Sequence, residues 1–327
     1  IIKYLIQEID MDENYKNEKG ENCLLLACKK NPNLEIIKYL IEEIKMDTNI
    51  INKNGENCLL LACKENTNLE IIKYLIEEIK MDIKYVNYYR KENCLLLACK
   101  KNANLKIVKY LIEEIKMDTN HNNNYKKNCL LLACKNKNNR KIMRYLIEEQ
   151  KMDTEYCDPE GKNCLLILCS NDKYLTDIKY LINTIKIDVN YTDGEGNNCL
   201  LCACFMNESD KCFETIKYLI EEIKMDIKYT NNNGNNCLLL SCNGNNIKTV
   251  KYLVEICKMD VNYKNLHNEN CLLSACCSYD DNLEVIKYLV ETCNMDPNCK
   301  TSVNENCLTL ACEHQNLNLI KYLIEKQ

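Results

Sequence analysis

Cysteine is the residue type in this chain that could support the most chemistry, since thiols bind metals, form disulfides and act as nucleophiles. The 327-residue sequence contains 25 cysteines. Eighteen of them occupy two fixed positions of a repeated heptapeptide, of which Asn22–Cys28 (Asn-Cys-Leu-Leu-Leu-Ala-Cys) is the first copy. On a helix these two positions lie about 140° apart around the axis, so they cannot bond to each other.

Disulfides between repeats are not expected either. Copies of one position in neighbouring repeats would be separated by the spacing of packed helices, about 8–10 Å, whereas a disulfide needs Cα atoms within about 7 Å. We interpret the cysteines as small buried apolar side chains in a reducing compartment. The densest group, Cys199, Cys202, Cys204 and Cys212, matches no closed zinc site, so a metal site there is disfavoured.

Other residues give no candidate for catalysis or cofactor binding. The three histidines (His121, His267 and His314) have no recurring acidic or cysteine partner. The sequence contains no glycine-rich phosphate loop and no nucleophile elbow. Adjacent carboxylates such as Glu42 and Glu43 recur along the chain and are interpreted as solvated surface. The sequence therefore predicts a protein that is not an enzyme, with no cofactor and no metal.

Composition and charge exclude further classes. The net charge of −5 provides no basic surface for nucleic acid, and no apolar run approaches the ~18 residues of a membrane span. Residues 1–163 carry 28 basic and 26 acidic side chains, a net +2, whereas the remainder carries 15 and 22, a net −7. We therefore expect neither nucleic-acid nor membrane binding.

The regular spacing of repeats in the sequence predicts the elements that position these residues. The heptapeptide returns eight times, at intervals of 35, 36, 35, 35, 35, 38, 34 and 36 residues, and a block like Ile36–Glu43 keeps the same period. A fixed period of this size indicates a stacked array. We predict one array over residues 1–327, with a half repeat at 1–21 and nine repeats that start near residues 22, 57, 93, 128, 163, 198, 236, 270 and 306.

Each repeat is predicted to contain two helices and a polar connector of about ten residues. The first helix begins at an asparagine N-cap such as Asn22, and because it is apolar on every side it must be buried. The second helix, capped by Asn33, runs from about Leu34 to Ile44 with the apolar spacing of an amphipathic helix. We expect the ring of Tyr39 to pack between repeats, with its hydroxyl at the surface.

Two helices followed by an Asp-x-Asn connector resemble ankyrin repeats. Glu35–Ile41 is similar to the family's Glu-Ile-Val-Lys-Leu-Leu-Leu, and Met259–Asn262 and Ile187–Asn190 match its Ala-Asp-Val-Asn best. In the first helix, Asn-Cys replaces the family's Thr-Pro, and Ala27–Cys28 replaces Ala-Ala. The resemblance implies an all-α solenoid of stacked helix–turn–helix units with hairpin-like connectors.

The sequence also departs from the family pattern. The repeat exceeds the family's period of about 33 residues, with one extra residue between the helices and one after the second helix. Ile44–Met46 replaces the glycine that ends the family's second helix, so that helix is expected to continue about a turn further. Arrays this rich in Asn, Lys and Ile resemble those of large DNA viruses of amoebae and of some protists. The terminal blocks keep the interior pattern, so we expect a natural chain heavier than 38.3 kDa, or ends that are covered.

The resemblance implies a concave face, made of connector tips and first helices, that binds partner proteins. We expect a non-catalytic scaffold or adaptor in the cytoplasm (the host cytoplasm, or the virion, if the source is viral). The alternative is a structural subunit of a large assembly such as a virus particle, held by self-association or by contacts with a coat protein.

Candidate partner-binding residues are those that vary among repeats at this face. Phe205 and Met206 follow the first helix of the longest repeat, where earlier repeats carry lysines. Aromatic and Met side chains are enriched in the centres of interfaces, although the alternative is that Phe205 covers its own loop. The further candidates are a connector tip and the earlier lysines: Tyr88, Tyr89, Arg90, Lys29, Lys30, Lys64, Lys100 and Lys101.

Overall fold

The computed structural model describes residues 12–325 except 13, 172–173, 206–209 and 279–281, and only the backbone of 210 and 211. It divides into two compact parts, the N-terminal block (residues 1–159) and the C-terminal block (residues 160–327). Over the described residues the regular elements are helices, and one isolated antiparallel bridge joins Lys300 and Asn306. The predicted all-α solenoid fold is confirmed.

Each repeat contributes a first and a second helix. The first helices are α1 (Cys23–Lys30), α3 (Cys58–Glu65), α5 (Cys94–Lys101), α7 (Cys129–Cys134), α9 (Cys164–Cys169), α11 (Cys199–Cys204), α13 (Cys237–Asn243), α15 (Cys271–Cys276) and α17 (Cys307–Glu313). The second helices, several of which end in a wider turn, are α2 (Leu34–Lys38, Tyr39–Glu43), α4 (Leu69–Lys73, Tyr74–Glu78), α6 (Leu105–Lys109, Tyr110–Glu114), α8 (Arg140–Glu148), α10 (Leu175–Tyr180, Leu181–Ile185), α12 (Asp210–Glu221), α14 (Ile247–Lys251, Tyr252–Ile256), α16 (Leu283–Lys287, Tyr288–Thr292) and α18 (Leu317–Glu325).

Asparagine caps begin the helices as predicted. The side-chain oxygen of Asn22 accepts a hydrogen bond from the backbone N–H of Leu25 over 3.0 Å, and each later first helix has an equivalent bond. Asn33 caps α2 by accepting from the N–H of Glu35, also over 3.0 Å. These bonds satisfy amide groups that the first turn of a helix leaves free.

The core of each block is built from its first helices. In α3 every residue from Cys58 to Cys63 is buried, and successive first helices of a block pack directly on one another. The second helices pack against one side of this layer through residues such as Ile72 and Leu75, which are both fully buried. A two-turn helix is unstable alone, so each repeat depends on its neighbours.

The second helices end in a widened turn, which differs from the sequence-based expectation. The N–H of Ile44 donates to the carbonyl of Tyr39, five residues back, and the N–H of Met46 donates to that of Leu40, six residues back. The first bond is that of a π turn, which fits one extra residue into a helix. The second closes the helix around Lys45 in the left-handed conformation, with φ of 63°. The last helical residue is Glu43, one residue before the predicted end at Ile44, and the expected further turn is absent from this described segment.

A lysine or asparagine takes this left-handed position at the end of eight second helices. These residues are Lys45, Lys80, Lys116, Lys151, Lys186, Lys224, Lys258 and Asn294. Glycine is the usual residue there, because a Cβ atom makes the conformation costly.

The connectors are tight, hairpin-like turns organised by one side chain. The carboxamide oxygen of Asn52 accepts from the N–H groups of Asn54 and Glu56, each over 2.9 Å. The N–H of Lys53 donates over 3.0 Å to the carbonyl of Lys19 in the preceding connector. Connector tips within a block are therefore tied to each other by backbone hydrogen bonds.

Tyrosines of the second helices join neighbouring repeats. The hydroxyl of Tyr74 donates to Glu42 over 2.8 Å, and that of Tyr110 donates to Glu77 over 2.7 Å. The ammonium group of Lys38 lies 5.7 Å from the ring centroid of Tyr74. The rings pack between repeats as predicted, but the expectation that the Tyr39 hydroxyl lies at the surface was wrong, because its oxygen is buried. Glu42 and Glu43 are exposed as expected, and Glu42 also accepts a hydrogen bond from the next repeat.

Asparagines in the loops between the two helices provide a second set of links. The amide nitrogen of Asn66 donates over 2.9 Å to the carbonyls of both Cys28 and Asn31 in the preceding repeat. Asn102 repeats the pattern toward Cys63 and Asn66, over 3.1 and 2.6 Å. Carbonyl groups at the ends of α1 and α3 are thus satisfied by the next repeat.

Candidate functional site

A buried ion pair fixes one lysine at the end of each of the first three first helices. The Nζ atom of Lys64 lies 2.7 Å from Glu56, whose side chain is only 5% exposed. The equivalent pairs are Lys29–Glu21 and Lys100–Glu92, both at 2.7 Å. Three of the predicted partner-binding lysines therefore have their charged ends engaged within the protein. Lys30 and Lys101, one residue further on, are exposed.

The ion pair between Lys29 and Glu21 shifts the pKa values of both its members. Burial raises the pKa of the Glu21 carboxyl, but hydrogen bonds from Lys29 and Asn17 outweigh it and lower the pKa below its usual value. Burial lowers the pKa of Lys29, and its hydrogen bond with Glu21 leads a set of interactions that reverse this and raise it. Both groups are therefore charged at neutral pH, and the pair persists there.

A recess of about 270 Å³ lies between the connectors of repeats 1 and 2 and the first helices α3 and α5. Tyr89 and Arg90 line it from a connector tip, and Lys64, Lys100 and Lys101 line it from the first helices. The side chain of Tyr89 is 70% exposed. Five of the predicted residues are thus brought together at one place.

The remaining predicted residues of this block lie elsewhere. Tyr88 is 55% exposed and lines a different recess of about 450 Å³, together with Tyr85. Lys29 and Lys30, at the end of α1, do not line either recess. Tyr88 and Tyr89 therefore face different recesses although they are adjacent in the chain.

Neighbouring connector tips also contact each other through side chains. The guanidinium of Arg90 lies 5.6 Å from the ring centroid of Tyr125, and the carbonyl of Arg90 accepts a hydrogen bond from the N–H of Asn124 over 2.9 Å. Tyr125 is itself 52% exposed. The tips of repeats 2 and 3 therefore present an arginine and several aromatic rings side by side.

Phe205 lines a recess in the C-terminal block. It directly follows α11, is 56% exposed, and borders a space of about 430 Å³ together with Leu201 and Leu240. Met206 lies outside the described residues. The other phenylalanine, Phe213, is half-buried and packs edge-on against Tyr252 with ring centroids 5.5 Å apart.

The rim of the Phe205 recess is polar and slightly acidic. Asp193 and Glu195 line it opposite a single basic side chain, Lys162, whose Nζ lies 3.1 Å from Glu160. Burial, and then the carboxylate of Asp193, raise the pKa of the Cys202 thiol in its wall to about 12. That thiol stays protonated at neutral pH, so it forms an uncharged part of the recess wall and does not act as a nucleophile.

Models of one protein family match nearly the whole chain. A model described as ankyrin repeats (3 copies) matches residues 1–87, 68–158 and 208–301, and one described as ankyrin repeats (many copies) matches residues 165–220. The chain belongs to the ankyrin-repeat family. No curated protein matches it.

These ankyrin repeats contain a ladder of polar pairs that sequence reasoning missed. In four described cases, the residue before an N-cap contacts a connector residue of the next repeat. The pairs are Asn123 to Glu92 (3.2 Å), Lys127 with Asp158 (3.1 Å), Asn231 to Asn197 (2.9 Å) and Asn265 to Asn235 (2.7 Å). Where the first member changes from glutamate to lysine, the second changes from asparagine to aspartate. This paired change of residue type is visible in the sequence and could have indicated that the two positions are in contact.

Sequence reasoning also missed contacts between cysteines of adjacent ankyrin repeats. It compared copies of the same position, whereas the contacts join the second fixed cysteine of one repeat to the first of the next. Burial, and then a hydrogen bond with Cys94, raise the pKa of the Cys63 thiol well above its usual value. The other pairs are Cys28–Cys58, Cys99–Cys129, Cys169–Cys199, Cys204–Cys237, Cys242–Cys271 and Cys276–Cys307.

The described part of the chain offers neither a metal site nor a membrane-spanning helix. No group of three or more His, Cys, Asp or Glu side chains there is arranged to hold a metal ion. None of the helices described is both long enough and apolar enough to cross a bilayer.

Proposed function

We propose that this ankyrin-repeat protein is a scaffold or adaptor that binds a partner protein on the face formed by connector tips and first helices. Ankyrin repeats generally mediate protein–protein interaction and are typically non-catalytic. The observation that carries the proposal is the exposure of large side chains at recesses of this face: Tyr89 and Arg90 in the N-terminal block and Phe205 in the C-terminal block. Aromatic residues and arginine are the types most enriched at binding hot spots.

Charge gives the partner a chemical character at each recess. In the N-terminal recess two lysine–glutamate pairs cancel, whereas Arg90 and Lys101 add positive charge. This supports a partner segment that combines acidic and apolar side chains. In the C-terminal recess Asp193 and Glu195 exceed Lys162, which supports a basic segment next to an apolar anchor against Phe205.

The proposed partner is a protein and the proposed compartment is the cytoplasm. The net charge of −5 disfavours nucleic acid, because binding to phosphates requires a basic surface. A cytoplasmic location is consistent with 25 cysteines, of which most are buried side chains of the core.

The test compares variants of the full chain as bait in extracts of the source cells, with quantitative mass spectrometry of the captured proteins. A true partner should be captured at least about tenfold less by Tyr89→Ala/Arg90→Ala or by Phe205→Ala, as truncated hot spots cost about 2 kcal/mol or more. The control is Ile256→Ser, because Ile256 is 68% exposed at the end of a second helix.

Melting temperatures of all the variants should stay close to that of the parent chain, because the substituted side chains are exposed. Equal loss of the partner in the control, or no loss in any variant, would reject this face. A molecular mass that rises with protein concentration in the absence of a partner is the result that the alternative, a subunit of a large assembly, predicts.

A further inference from the structure

The last connector carries a thiol at a position where six other connectors carry a tyrosine. Three residues after the connector aspartate, a tyrosine hydroxyl donates to a glycine carbonyl of the preceding connector over 2.8–3.0 Å. These tyrosines are Tyr85, Tyr191, Tyr229 and Tyr263. Cys299 occupies the equivalent position after Asp296. The last connector therefore lacks this link and gains a group with redox chemistry.

Cys299 lies directly across the connector from Cys307. The antiparallel bridge between Lys300 and Asn306 places their outer neighbours, residues 299 and 307, opposite each other. Opposed side chains in such a pair have Cβ atoms about 4.5–5.5 Å apart, close to the 3.5–4.5 Å of a disulfide. The nearby Cys307 thiol raises the pKa of Cys299, whose thiol donates to the Oδ1 atom of Asn270 over 3.7 Å, so closing the disulfide requires that weak bond to break.

A third thiol lies behind this pair. Cys307 is also hydrogen-bonded to Cys276, the second fixed cysteine of the preceding repeat. Cys276 and Cys307 are 1% and 0% exposed, whereas Cys299 is half-buried. A small molecule in solution can therefore reach Cys299, whereas Cys307 and then Cys276 lie behind it in the interior.

We propose that Cys299, Cys307 and Cys276 form a thiol–disulfide switch that reacts with low-molecular-weight disulfides. The Cys299 thiolate attacks a disulfide R–S–S–R, forms a mixed disulfide and releases one RS⁻. The Cys307 thiolate attacks the Cys299 sulfur, releases the second RS⁻ and forms the Cys299–Cys307 disulfide. The protein loses two electrons and two protons, and the small disulfide is reduced to two thiols.

The third thiol gives the oxidised protein two forms. Attack of Cys276 on the Cys307 sulfur forms Cys276–Cys307 and returns Cys299 to a thiol, with no net oxidation. The first disulfide closes the last connector onto α17, and the second joins the last two repeats covalently. Either bond restricts opening of the last repeat, since a crosslink removes freedom from the opened chain.

The environment of Cys299 sets a slow first step. The hydrogen bond with Cys307, and then burial, raise the pKa of the Cys299 thiol. The thiolate is the attacking species and is scarce at neutral pH. The first step is therefore slower than for a thiol with an ordinary pKa.

The test incubates the reduced full chain with oxidised glutathione, traps remaining thiols by alkylation and maps linked peptides by mass spectrometry. The expected product is a Cys299–Cys307 or Cys276–Cys307 crosslink, with two glutathione molecules released for each one formed. Two internal comparisons are built into the chain. The exposed Cys312 should retain glutathione as a mixed disulfide, and the fully buried Cys63–Cys94 pair should stay reduced while the protein is folded.

Two variants separate the steps. Cys307→Ser should stop the reaction at a glutathionylated Cys299. Cys299→Tyr installs the residue found in other connectors and should abolish crosslinking while the chain stays folded. A mixed disulfide that persists on Cys299 in the parent chain, crosslinking at Cys63–Cys94 at the same rate, or no crosslink at all would each overturn the proposal.

Discussion

Polar side chains in this array contact partners 31 residues away. From one repeat to the next, the first member of such a pair changes from negative to positive. Asn123 donates to Glu92, whereas one repeat later the same two positions hold Asp158 and Lys127. The side chain of Asp158 is 1% exposed and that of Lys127 is 15% exposed. A nearly buried charge needs a partner of opposite sign, so the two positions must change together.

The first prediction exchanges these charges. Asp158→Asn should lower the free energy of unfolding by about 1–3 kcal/mol, less than for a fully buried pair because Lys127 can turn toward water. The double variant Lys127→Glu/Asp158→Asn recreates the Glu92–Asn123 combination and should recover most of that loss. Urea unfolding of Lys127→Glu, Asp158→Asn, the double variant and the parent gives the coupling energy, and simple additivity of the two changes would contradict the pairing.

The second prediction concerns the hydroxyl groups that join second helices. Tyr110→Phe removes a hydrogen bond to the Glu77 carboxylate and should destabilise the chain by about 1 kcal/mol, since the exposed glutamate regains water. Tyr218→Phe is the matched control, because its acceptor is the neutral Asn183 at 3.2 Å. Thermal melting should show the larger loss for Tyr110→Phe, and the reverse order would argue against charge assistance.

The third prediction is the pH dependence that these tyrosines create. Burial, and then the hydrogen bond to Glu77, raise the pKa of Tyr110 above its usual value. The folded chain therefore keeps this proton above pH 10, where the unfolded chain loses it, so stability present below about pH 10 falls as the pH rises further. Melting scans from pH 8 to 11 should show a smaller decline for Tyr110→Phe than for the parent. Equal slopes would refute this assignment.

At the residue scale, the sequence predicted interactions within a repeat better than those between repeats. The cap of Asn22 and the burial of the Cys58–Cys63 segment follow from local spacing, and both are confirmed. The Lys127–Asp158 and Cys63–Cys94 contacts join different positions of neighbouring repeats. Comparing each position only with its own copies could not reveal them. Detecting them would have required comparing each position of one repeat with the other positions of the next repeat.

At the scale of the elements, the widened turn explains how a longer repeat keeps the two-helix design. An extra residue in the sequence is compatible with a longer helix, a longer connector or a π turn, and hydrophobic spacing does not separate these. The structure places it between Tyr39 and Ile44, where hydrogen bonds span five residues. The helices and hairpin-like connectors were predictable from the period, whereas this local geometry depends on how the helix end packs.

The fourth prediction tests the helix ends. Lys80 ends α4 in the left-handed conformation with φ of 59° and is exposed. Lys80→Gly should stabilise the chain by about 0.5–1 kcal/mol, because glycine adopts this conformation without the Cβ clash. Lys80→Ala keeps a Cβ atom and should bring no such gain. Chemical denaturation compares the two, and a loss of stability in the glycine variant would mean that the lysine side chain itself holds the helix end.

At the scale of the whole molecule, stability should be transmitted from neighbour to neighbour. First helices pack on adjacent first helices of their block and on second helices, so damage in one repeat should weaken the next most. Leu96 in α5 and Leu239 in α13 are both 0% exposed and belong to different blocks. Replacing either by alanine should cost about 2–5 kcal/mol locally.

The fifth prediction is therefore a pattern in hydrogen exchange along the chain. Leu96→Ala should speed exchange in repeats 2 to 4 and leave repeats 7 to 9 near their parent rates. Leu239→Ala should do the opposite, speeding exchange in repeats 6 to 8 and sparing repeats 1 to 3. Each variant is the control for the other, because the same leucine-to-alanine change is made at equivalent positions. Uniform acceleration over all nine repeats in both variants would show that the chain unfolds as one cooperative body, and would refute coupling between neighbours alone.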